Sequence, residues 1–104
     1  MNEDLMDEFL SRQLSQIRMA IADYRKETLG LNALINRIEA VGNIIGGEFW
    51  EERLFPLVLD MERINSEIID KKRMMNSVER EQINVTLNLL EAIFDNLSER
   101  RGQF

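Results

Sequence analysis

Apolar residues recur along this chain at steps of three and four, and four such runs can be traced. In the first, Leu10, Leu14, Ile17, Ile21 and Tyr24 line one face of a helix predicted over about residues 4–28. Gly30 is expected to close it in the left-handed conformation that glycine adopts without penalty. Asn32 is the expected N-cap of a second helix over about residues 33–45, with Leu34, Ile35, Ile38, Val41 and Ile45 as its apolar positions and Gly46 and Gly47 ending it. A third run, Trp50, Leu54, Leu57, Met61, Ile64 and Ile68, predicts a helix over about residues 48–72. The last helix, over about residues 77–99, carries Ile83, Leu87, Leu90, Phe94 and Leu97. Asn76 or Ser77 caps it, with Glu79 three residues after Asn76 as in a capping box.

Strands have little support, because no stretch sustains an alternation of apolar and polar residues. The prediction is therefore an all-α chain, a single domain over residues 1–104 forming an antiparallel four-helix bundle in up-down-up-down order. Long first and last helices beside a short second one make it lopsided. The one proline, Pro56, lacks an N–H and crowds the preceding turn, so the third helix should kink or break near it.

Charge narrows the range of partners. Nineteen acidic against thirteen basic residues give a net charge of −6. Residues 1–52 alone hold ten acids and five bases. Such a field repels nucleic acid and membrane phosphates and attracts a basic protein, so neither of the first two is an expected partner, whereas a homo-oligomer stays open. With no cysteine, an acidic start and no apolar run of membrane-spanning length, the expected location is the cytoplasm.

The chemistry of most enzymes is missing. There is no histidine, which removes the commonest general base, and no cysteine, which removes the thiolate nucleophile. "GNIIGG" lacks the lysine and hydroxyl of a phosphate-binding loop, and "NEDLMDE" lacks the spacing of a calcium loop. No enzyme activity, cofactor or metal is expected. The acidic start reads as charge favouring a helix N-terminus, and Lys71, Lys72 and Arg73 read as cations at a helix C-terminus rather than as a nucleic-acid patch. Met74 and Met75 beside them read as turn-side packing.

The densest cluster of unusual residues is "GGEFWEERLFP". On a continuous helix each residue turns by about 100°, which puts Trp50 in phase with Leu54, Leu57, Met61 and Ile68 and so in the core. The opposite side gathers Glu48, Glu51, Glu52, Glu62 and Asp70, interleaved with Phe55 and Leu59, and only Arg63 lies near to balance them. Two readings stay open. These seven residues form a docking surface for a partner, or the acids are a solvated face with Phe55 and Leu59 packed under a neighbouring helix.

"YRKETLGLNALINRIEAVG" together with "EFWEERLFPLVLDMERIN" resembles the small helical immunity proteins that bacteria make against their own toxins, the colicin D immunity type and the partners of contact-dependent inhibition toxins. The resemblance covers residues 17–97 and rests mostly on core and turn positions. It implies an antiparallel four-helix inhibitor that binds a basic toxin, a nuclease such as a tRNase, in the cytoplasm of the producing cell and covers the cleft where RNA would lie. Contact surfaces vary with the toxin, so no contact residue is carried over from the family. The alternative is a structural or adaptor bundle that self-associates. A ligand carrier or enzyme using the bundle interior has little support from stripes that are almost wholly apolar.

Overall fold

The computed structural model describes the backbone of residues 2–102 and the side chains of residues 8–97. Four helices follow one another: α1 (Asn2–Arg25), α2 (Leu31–Ile45), α3 (Phe55–Asp70) and α4 (Ser77–Gly102), with a π-helical segment, Phe49–Leu54, leading directly into α3. No strand occurs among the described residues, and no helix there is long and apolar enough to cross a membrane. The all-α, antiparallel four-helix arrangement expected from the stripes is what forms. Its principal extents are 51 × 23 × 21 Å, elongated because α1 and α4, at 24 and 26 residues, outrun the 15 residues of α2.

Every residue of the four stripes is either buried or packed against the core. Ile17, Ile21, Leu34, Ile38, Leu54, Met61, Ile83, Leu87, Leu90 and Phe94 form its fully buried centre. Burying side chains of this size stabilises by about 1.5–3 kcal/mol each. Ala20, Leu31 and Val58 join them from outside the stripes. Between α1 and α4 the contacts run in opposite directions along the two helices: Arg18 donates to Asp95 at 2.7 Å, and Arg25 donates to Glu91 and, at 2.8 Å, to Asn88. Across the α2–α3 seam Asn65, a buried polar residue, donates to Asn32 Oδ1 at 2.8 Å.

The turns differ from expectation in instructive ways. Gly30 is extended (φ −75°, ψ 166°) and serves as the N-cap of α2, which starts at Leu31; Asn32 lies inside the helix and spends its side chain on Asn65 instead of capping. The left-handed position that ends α1 belongs to Glu27 (φ 65°). Its N–H donates to Tyr24 O and that of Thr28 to Asp23 O, a Schellman closure. Lys72 (φ 50°) closes α3 the same way, with its N–H on Ile69 O and that of Arg73 on Ile68 O. Gly46 and Gly47 do end α2, both at positive φ. The acid-rich start lies at the N-terminus of α1, and the side chains of residues 2–7 are outside the described ones.

The capping box forms as read from the sequence. Glu79 N–H donates to Asn76 Oδ1 at 2.8 Å, and Asn76 N–H donates to Glu79 Oε1 at 3.0 Å. Arg73 then clamps both oxygens of Glu79, at 2.8 and 2.9 Å. That bidentate pair, ahead of the Asn76 hydrogen bond, holds the Glu79 carboxyl down at about 2. Lys71 pairs with Glu67 at 2.8 Å, so two of the three cations in this run are engaged within the chain. Met75 packs on the core, whereas Met74 does not: it is 80% exposed.

Candidate partner-binding flank

Pro56 neither breaks the third helix nor leaves it regular. Helical backbone runs from residue 47 to residue 70, and the ladder widens to π spacing just before the proline, with Phe55 N–H donating to Trp50 O. A wider turn accommodates a ring that has no N–H to give and crowds the carbonyl four residues back. The extra residue in that turn rotates what precedes it by about 100° relative to a continuous α-helix. Trp50 thereby lies over Gly42 of α2, so close that a β-carbon there would sit 2.4 Å from three atoms of its ring. The tryptophan is core, as expected, and is 7% exposed, but it reaches that place through the widened turn and not through a continuous α-helical phase.

The seven residues marked out in the sequence fall into three groups. Glu48, Glu51 and Glu52 are exposed around the π-helical segment. Phe55 is half-buried, its ring tilted 50° against that of Trp50 with centroids 5.5 Å apart, so it is largely committed to the core. Leu59, Glu62 and Asp70 come together in a shallow recess of about 530 Å³ along α3 that Arg63, Ser66, Glu67 and Lys71 complete. The structure therefore gives two acidic stations on one element, not one continuous stripe.

No ion pair among the described residues uses Glu48, Glu51, Glu52, Glu62 or Asp70. Four of the arginines turn to other acids: Arg18 to Asp95, Arg25 to Glu91, Arg73 to Glu79, and Arg63, at 3.7 Å, to Asp60. Within the recess only Glu67 is neutralised, and its pairing with Lys71 lowers its pKa.

Nothing in the spacing of residues along the chain singles out Glu39 of α2, yet it belongs to this flank. It meets Glu62 across the α2–α3 seam, and both are half-buried. A hydrogen bond shared with Glu62, then partial burial, then repulsion between the two carboxyls hold Glu39 up at about 7. Two acids from different helices thus face each other across the seam. No three such side chains among the described residues converge closely enough to hold a metal ion. Comparisons of the chain with protein-family models, with curated proteins and with solved structures each return no match.

Proposed function

We propose that this chain is an immunity protein that binds and inhibits a basic bacterial toxin, a nuclease such as a tRNase, by laying an acidic surface over its nucleic-acid cleft. One observation carries the reading: five carboxylates along one helical element, Glu48, Glu51, Glu52, Glu62 and Asp70, pair with no cation of the described chain. Unpaired carboxylates are the groups that charge-assisted hydrogen bonds from lysine and arginine would satisfy. Leu59 beside Glu62 and Asp70 supplies an apolar contact within the same recess. The net charge of −6 favours encounter with a cationic partner and disfavours a second copy, the self-associating adaptor being the other reading.

The test is to produce the protein encoded by the neighbouring reading frame in cells with and without this chain. Growth restored by the chain, and lost again when Glu48, Glu52 and Glu62 are replaced by lysine together with helical circular dichroism unchanged, is the expected result. Rescue that survives the triple replacement would remove this flank from the interface. A neighbouring product that harms no cell and forms no complex with the chain would sink the reading itself.

A further inference from the structure

The helix α4 has a second apolar line that the bundle does not use. Val78, Val85 and Leu89 are 65, 47 and 49% exposed, and their spacing of seven and four residues places them on one face of the helix. Val85 and Leu89 flank an open groove of about 510 Å³ between α3 and α4, walled on the other side by Leu57 and Ile64. This groove lies on the α4 side of α3 and meets the acidic recess only at Arg63. The line from Val78 to Leu89 spans eleven residues, about 16 Å of helix, enough for the three anchors that a helix presents over two turns.

The rim decides what can lie there. Asp60 of α3 and Glu81 of α4 border the groove, against one cation, Arg63. Arg63 reaches Asp60 only at 3.7 Å, with 80 and 57% of the two side chains exposed, a geometry that neutralises little. Glu81 has no ion pair among the described residues. A second copy of the chain would bring a like-charged rim and a net −6 to meet the same. A basic helix would not, and a groove between two antiparallel helices takes the ridge of a third.

We propose that the α3–α4 groove docks an amphipathic helix of a partner protein, with its apolar ridge against Leu57, Ile64, Val85 and Leu89 and its lysines or arginines over Asp60 and Glu81. The inference stands on the groove's own residues, so it holds or fails separately from the acidic flank. The probe is a synthetic amphipathic helix of leucine and lysine about 15 residues long, near the length at which an isolated helix becomes stable. A control peptide carries glutamate at every lysine position.

Titration of the intact chain, followed through the methyl signals of Val85, Leu89, Leu57 and Ile64, should show saturable shifts with the lysine peptide and binding at least about tenfold weaker with the control. Val85→Arg and Leu89→Arg should each weaken binding about tenfold or more with helical content unchanged, as expected for anchors at the centre of a contact. The Glu48, Glu52 and Glu62 triple lysine variant should keep the methyl shifts, which separates this groove from the acidic flank. Absence of shifts, equal binding of the two peptides, shifts at Leu59 with none at Val85 or Leu89, or a doubled mass without peptide that Leu89→Arg reverses would each overturn the proposal. The last of these would assign the groove to a second copy.

Discussion

Trp50 and Gly42 illustrate how far a single side chain's placement follows from its phase along the chain. The three-four spacing marks Trp50 as core, and it is; nothing in "EAVGNII" marks Gly42 as the surface it lies on. Alanine at position 42 improves helix propensity by about 1 kcal/mol yet puts a methyl group 2.4 Å from three ring atoms. The clash wins, and Gly42→Ala should destabilise by about 1–3 kcal/mol in thermal or denaturant melts. In a Trp50→Leu background that cost should vanish, because the two effects act through one contact. Glu39 makes a second case. Its pKa is about 7 in the fold, against about 4.3 in an unfolded chain, so the native state retains a proton between those values that the unfolded state has lost. Its stabilising share is thus complete below the lower value and disappears as pH climbs through the upper one. Melting temperature should fall between about pH 4 and pH 7 in the native chain, and Glu39→Gln should flatten that fall. An unchanged slope would show that Glu39 does not keep its proton in the fold.

At the scale of elements, the four stripes and the capping box were legible because both depend on local spacing. Leu34, Ile38 and Val41 fall on one side of α2 whatever packs there, and Asn76 finds Glu79 three residues on in any first turn. The turns were not legible for the opposite reason. Gly30 is the residue that spacing marks for positive φ, but the left-handed closure of α1 falls three residues earlier, at Glu27, which leaves Gly30 free to cap α2. The π turn was also hidden, since a proline in a helix announces a disturbance without saying which form it takes. A non-glycine residue in the left-handed region costs about 1 kcal/mol. Glu27→Gly and Lys72→Gly should therefore each raise stability by about 0.5–1 kcal/mol, and, standing at separate turns, they should add in a double variant. Denaturant midpoints compared at equal slope measure both; lower midpoints would mean that Glu27 and Lys72 contribute contacts outweighing their backbone cost.

Across the whole molecule, the acid excess was visible in the sequence, but how it is distributed was not. Cross-helix pairs such as Arg18 with Asp95 and Arg25 with Glu91 withdraw arginines from the α3 side, and only tertiary structure decides such pairings. The same folding brings Glu39 beside Glu62 and sends Glu48, Glu51 and Glu52 to the π-helical end. For a cationic partner, exposed carboxylates of this kind govern encounter more than residence. The association rate should drop by about tenfold or more between low and physiological salt while dissociation changes little, as stopped-flow mixing at several ionic strengths would show. A salt-independent rate would mean that apolar contact, not the field, brings the two together. The indole resting on Gly42 has a practical corollary. Being the chain's sole tryptophan, it makes fluorescence a one-site optical gauge: emission stays blue while that joint between α2 and the widened turn is shut, and reddens when the joint opens.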